Sequence, residues 1–207
     1  SISKPETRKL IDSIMLIGAY SDFLDTLPFV FSNYHRDNYG VYVLLFNFIE
    51  AIEPKLAGEI KLLAYEAACD NALHRAGEKA IVPKILKEVS EPARTFFYQI
   101  DSNEDFRTIV GEKIAKAVGN LPHQLSPYHQ LETIECPVVL LHGEDDPVIS
   151  PEESKKLSML LSKKQIPFLY RTSSAITHGD NLPIHSQIFG IPAILETFGT
   201  FIQNMKP

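Results

Sequence analysis

The chain has two cysteines, no tryptophan and no excess of positive charge in its 207 residues. Cys69 and Cys136 are too few for a disulfide framework, so a packed core has to carry the fold. Both read as buried thiols, in keeping with a reducing compartment such as the cytoplasm. Lys and Arg number 20 against 26 Asp and Glu, a formal net charge of −6, and no basic stripe occurs. A nucleic-acid partner is excluded on that ground. Long apolar runs are missing too. "VYVLLFNFIEAI" (Val41 to Ile52) falls well short of the roughly 18 apolar residues of a membrane span. It is cut by Asn47 and Glu50 and reads as a buried helix. No pair of His or Cys stands at ligand spacing and no glycine motif could cradle a phosphate, so neither metal nor cofactor is expected. There is no internal repeat and no low-complexity tract.

What is present is ordinary globular material, 44% apolar and 22% charged, enough for one domain carrying a sizeable insertion. Three short β-branched runs bounded by turn signals read as buried parallel strands: Asp12 to Tyr20, Cys136 to Gly143 and, more weakly, Ile166 to Thr172. Between the last two lies "SPEESKKLSMLLSKK", with Ser150 as N-cap, Pro151 at the first helical position, and Glu152 and Glu153 in the first turn. A strand–helix–strand unit of this length makes a parallel crossover. The closing segment from Pro183 to Met205 has helical spacing, with Pro192 expected to start or kink its helix. The middle, Asp22 to Glu135, has no convincing strand. Helical stretches are expected around Tyr39–Ile52, Lys55–Gly77, Pro83–Val89, Pro92–Gln99 and Glu104–Val118. The fold class expected is α/β, about three parallel strands with a large helical insertion between the first and second. Its divisions are 1–21, 22–125 and 126–207.

Chemistry concentrates after the second strand, in "HGEDDPVIS". Loops that follow parallel strands lie at the carboxyl edge of a sheet, where open α/β folds place reacting groups. A carboxylate there, with His178 of "SSAITHGDN" in the loop after the next strand, is the acid–base half of a nucleophilic triad. Three consecutive acids could instead suggest a hard metal ion, or simply a solvated turn. His185 is the local rival of His178, but its apolar neighbours suggest a helix start. His142 reads as a strand-end packing or hydrogen-bonding residue, and Asp180 as a turn former.

These residues resemble the C-terminal part of an α/β-hydrolase. That family's acid turn commonly reads His-Gly-x-x-Asp-x-x-Val/Ile-Pro. Here it is His142, Gly143, Glu144, Asp145, Asp146, Pro147, Val148, Ile149 and Ser150, with Pro151 one place late. The resemblance puts the catalytic acid on Asp146 and the catalytic histidine on His178, and it makes the helical middle a cap. "SPYHQLETIECP" (Ser126 to Pro137) is similar to the family's approach to this strand. The family implies a small acyl substrate, such as a carboxylic ester, with peptidase, haloalkane and epoxide chemistry left open because the sequence does not show the nucleophile type. Aromatic residues of the middle (Phe29, Phe31, Tyr42, Phe46, Phe48, Phe96 and Phe97) would serve as helix–helix core or as lining of a hydrophobic acyl pocket.

The nucleophile is what the sequence lacks most consequentially. None of the 10 glycines opens a Gly-x-Ser-x-Gly elbow. Ser21 follows the first strand but has no second glycine. Two expectations follow. In one, the nucleophile lies upstream of Ser1 and this chain is the C-terminal portion of a longer esterase-like hydrolase, inactive alone. That fits a sequence with no initiator Met and no leader, entering a strand almost at once. In the other, the chain is a catalytically inactive hydrolase-like domain used for binding or assembly. In the first case the apolar edge of the strand within 12–20 should be covered, by a second copy, another chain or the N-terminal tail.

Overall fold

The computed structural model describes residues 9–73, 80–176 and 184–205. His178 and Asp180 therefore lie outside the described residues. The chain divides into two compact units, Ser1–Thr26 with Leu121–Pro207, and Leu27–Asn120. The first is a mixed α/β unit built on a three-stranded parallel sheet, and the second is helical.

In the α/β unit the strands are β1 (Ile14–Ile17), β2 (Val138–Gly143) and β3 (Phe168–Ser173), in the order β1-β2-β3. Both pairings are parallel, with Ile14 opposite Val138 and Val138 opposite Phe168. β2 is buried along its whole length, as its continuous apolar run requires. β1 is shorter than Asp12 to Tyr20. Gly18 takes φ +60, a left-handed conformation open mainly to glycine, and this turns the chain out of the sheet. Among the described residues no strand pairs with the outer edge of β1.

The crossover helix between β2 and β3, Pro151–Lys163, begins where its residues dictate. The Ser150 hydroxyl accepts from Glu152 N at 3.3 Å, and Gln165 ends the turn after it at φ +59. Leu157 and Leu161 pack with Leu131, Val138 and Leu140 into the core of this unit. Full burial of such a leucine is worth about 1.5–3 kcal/mol.

Between β1 and β2 the chain forms α1 (Phe23–Ser32), α2 (Tyr39–Ile52), α3 (Ala57–Leu73), α4 (Val82–Ile85), α5 (Glu91–Ser102), α6 (Glu104–Ala117) and α7 (Leu121–Leu125), then a 3-10 turn at Pro127–Thr133. The crossover helix is α8, and α9 is Ile184–Gln203. α1 was not expected, since Pro28 sits inside it. α9 likewise runs through Pro192 instead of starting there. In the helical unit Ile60, Leu63, Ala64 and Ala67 are the buried face of α3, and Ala93, Phe96, Phe97 and Ile100 that of α5. Ser90 and Asn103 cap α5 and α6 by accepting from Ala93 N and Phe106 N.

Where the insertion leaves and rejoins the α/β unit, three hydrogen bonds pin the two chain segments. Phe23 N donates to Ser126 Oγ at 2.9 Å, Ser126 Oγ lies 3.4 Å from Asp22 Oδ1, and Tyr128 N donates to the Ser21 carbonyl at 3.1 Å. The structural division thus falls a few residues inside 22–125. Neither cysteine is fully buried; both are free and half-buried. No helix among the described residues is long and apolar enough to cross a membrane.

Candidate active site

The turn after β2 is built around one carboxylate. Asp146 is 4% exposed, and its Oδ1 accepts from Val148 N at 2.9 Å and Ile149 N at 3.0 Å. Pro147 donates nothing, so the turn offers its next two N–H groups to one oxygen, and the carboxylate's orientation is fixed by backbone. Oδ2 is the oxygen on the side of His142 and of Gly18, where β1 ends. Glu144 and Asp145 are exposed, as a solvated turn leaves them. Of the three acids, Asp146 is the one the fold buries and aims.

His142, the last side chain of β2 before the turn, is fully buried and braces the same turn. Its Nε2 lies 2.9 Å from the Ile149 carbonyl and its Nδ1 2.6 Å from Ser154 Oγ on α8. A carbonyl only accepts, so Nε2 carries a proton. Ser154 has one hydroxyl proton and two partners, the Ala19 carbonyl at 2.8 Å and His142 Nδ1. If the proton goes to Ala19, Nδ1 must donate and the ring is an imidazolium. If it goes to Nδ1, the ring is neutral. His142 Nε2 to Asp146 Oδ2 is 3.7 Å, too long for a hydrogen bond. His142 therefore positions the turn and does not share a proton with the acid. Its contacts tie β2, the turn, α8 and the end of β1 together, a role its place at a strand end hinted at but could not specify.

The loop after β3 is fastened to this turn. Glu144 N donates to the Ser173 carbonyl at 3.1 Å. A Cβ placed on Gly143 would stand 2.3 Å from the Ile176 carbonyl oxygen, so glycine is what lets the two backbones touch. Gly190 on α9 does the same for the other side of the loop: a Cβ there would meet Ala175 N at 2.3 Å. Ser173 joins them, its hydroxyl donating to the Gly190 carbonyl at 2.8 Å. Ile176 precedes His178 by two residues, a span of at most about 7 Å. His185 lies in the first turn of α9.

Ser21 is committed elsewhere. Its hydroxyl donates to Glu153 Oε2 at 2.5 Å and its N–H to the same oxygen at 3.1 Å. Glu153 also accepts from Asp22 N and from Lys156 Nζ. Burial alone would raise the Glu153 carboxyl, but the hydrogen bonds from Lys156, Ser21 and Asp22 outweigh it and hold the group below the usual range. Burial also pushes the Cys136 thiol up, which disfavours a thiolate there. Neither residue offers an activated nucleophile. Among the described residues, no group of three or more His, Cys, Asp or Glu could hold a metal ion.

Comparison with protein-family models, with curated proteins and with solved structures finds no match for this chain.

Proposed function

We propose that this chain carries the acid and the histidine of an α/β-hydrolase-type triad, Asp146 and His178, and that the serine they serve lies outside its 207 residues. In this reading β1, β2 and β3 are the last three strands of the hydrolase sheet, and the helical unit is its cap. The reaction is hydrolysis of a small acyl substrate, such as a carboxylic ester. His178 takes the serine proton as the hydroxyl attacks the carbonyl and returns it to the leaving group. Asp146 holds the imidazole's tautomer and stabilises the imidazolium.

The observation that carries the reading is the Asp146 turn. A buried carboxylate, with one oxygen locked by two backbone N–H groups, sits at the carboxyl end of the central strand. It shares a backbone contact with the loop that leads, two residues later, to His178. A merely solvated acidic turn would need none of this. The test is to read the gene in frame upstream of the Ser1 codon. A Gly-x-Ser-x-Gly motif, placed to follow a strand and open a helix, is the expected result. A start codon at Ser1 would reject the reading.

The second reading, an inactive hydrolase-like domain used for assembly, has one observation in its favour. On α9, Ile188, Ile191, Leu195, Phe198 and Ile202 are all exposed, at alternating spacings of three and four. That is an apolar row on one helix face, of the kind that helix pairing buries. Sedimentation of the chain separates the cases. Assembly requires a dimer that Leu195→Glu dissolves, whereas the hydrolase reading does not.

A further inference from the structure

The helical unit contains a cavity of about 550 Å³ whose described lining residues all belong to that unit. Its buried wall is aromatic. Tyr42 and Phe97 stack with centroids 5.8 Å apart and planes 7° from parallel, and Tyr34 stands edge-on to Tyr42. Its polar groups are mostly acceptors. Asp37 and Asp70 are each only 7% exposed, and Asp101 lies nearer the surface. Each of the two buried carboxylates uses one oxygen to cap backbone. Asp37 Oδ1 accepts from Tyr39 N at 2.8 Å, and Asp70 Oδ2 accepts from Ile81 N and Val82 N at 2.8 and 3.0 Å. The other oxygen of each receives no hydrogen bond from any described residue. Asn38, also in the lining, buries its Oδ1 with no partner at all.

The hydroxyl pair adds another acceptor. Tyr34 OH lies 3.0 Å from Asp101 Oδ1 and 2.7 Å from Tyr42 OH. Satisfying both contacts sends the Tyr34 proton to the carboxylate and the Tyr42 proton to Tyr34, so the Tyr42 oxygen is left accepting. Burial raises both phenols, Tyr42 to about 12, so neither becomes an anion near neutral pH. On the donor side, Arg107 Nη2 donates to His35 Nε2 at 3.2 Å. Arg107 itself lies behind Tyr34, 4.7 Å from the ring centroid, and does not line the cavity. Among the described residues the lining holds three carboxylates and one guanidinium, Arg36, which is itself partnered, around stacked rings.

We infer that this cavity binds a small organic cation carrying N–H donors, an aryl- or alkylammonium, with its charge on Asp37 and Asp70 and its apolar body against Tyr42 and Phe97. The volume is that of a small-molecule site. Aromatic faces favour a cation beside them, and Asn38 Oδ1, buried without a partner, calls for a donor beside the two carboxylates. An anion would meet three like charges. A neutral acyl chain would leave Asn38 Oδ1 unpaired and offer the Asp37 and Asp70 carboxylates no donor, at a cost. The inference does not rest on the hydrolase reading, because no residue of the α/β unit takes part.

The test is calorimetric titration of the whole chain with benzylammonium, benzyl alcohol and benzoate, which share a ring and differ in charge. Saturable one-to-one binding of benzylammonium is expected, about tenfold or more tighter than benzyl alcohol, the value of one charge-assisted hydrogen bond. Benzoate should not bind. Asp37→Asn and Asp70→Asn each keep an oxygen for the caps, so circular dichroism should be unchanged while benzylammonium weakens about tenfold. Phe97→Leu should weaken benzylammonium and benzyl alcohol alike. Equal binding of the alcohol and the ammonium, preference for benzoate, or no saturable binding of benzylammonium would each overturn the inference. The wild-type series decides this even if a variant fails to fold.

Discussion

Replacing Gly143 by Ala adds one methyl group at the contact on which the candidate site depends. That methyl carbon would lie 2.3 Å from the Ile176 carbonyl oxygen and 3.1 Å from its carbon, both backbone atoms. Ordinary contact begins near 3.4 Å, so the loop after β3 must retreat by about 1 Å, and no side-chain rotation can relieve it. Overpacking of this kind costs about 1–3 kcal/mol. In a protein of this size that lowers the melting temperature by roughly 2–4 °C per kcal/mol, hence by about 4–8 °C for a mid-range cost. Gly58→Ala is the matched control. It lies in the first turn of α3 with nothing within 4 Å of an added Cβ, so the same methyl should stabilise, by about 0.5–1 kcal/mol. Scanning calorimetry measures both, and amide exchange around 173–176 should speed up only in Gly143→Ala. Equal shifts for the two variants, or unchanged exchange in that loop, would refute the claim that the two backbones touch there.

Three further outcomes follow from the same structure. Asp146→Ala should cost about 2 kcal/mol, because Val148 N and Ile149 N lose their acceptor, while Asp146→Asn keeps one and should cost about half as much or less by urea denaturation. Glu153 has a lowered folded pKa, so its stabilising contribution is present above the unfolded value, about 4.3, and is lost as pH falls through the folded one. The urea-midpoint gap between wild type and Glu153→Gln should accordingly narrow from about pH 7 to about pH 3; a constant gap would contradict the assignment. Arg107 is 1% exposed and donates to the Ile100 and Asp101 carbonyls, so Arg107→Met, though it fills the space, should destabilise by about 2–4 kcal/mol in the same assay.

Local signals in the sequence carried the parallel sheet and most of the helices. Ser150 and Pro151 mark the start of α8 to the residue, and the apolar run from Val138 reads directly as the buried central strand, because caps and strand patterns are nearest-neighbour effects. Phe23–Ser32 was missed because Pro28 removes an internal donor, and tertiary packing overrode that penalty. Asp146 stood out through its place between strand and helix. What braces it did not: His142, Ser154 and the Ala19 carbonyl meet across more than 130 positions of sequence, and nothing in the neighbourhood of any one of them announces the others. The charged part of the cavity is hidden for the same reason. Tyr42 and Phe97 read as helix core or as pocket lining, and only the fold shows that the space they face also holds Asp37 and Asp70. The approach of Gly143 to Ile176 is likewise a long-range contact that neither loop reveals alone.

The most direct measurement is labelling of the protein made from the whole reading frame with a serine-directed fluorophosphonate, for wild type, Asp146→Asn and His178→Gln. Rapid stoichiometric labelling of a serine upstream of residue 1 is expected, slowed by about 10³–10⁴ in both variants. Labelling that proceeds at the wild-type rate in either variant, or no labelling of the wild type at all, would contradict the assignment of Asp146 and His178 as the acid and the base.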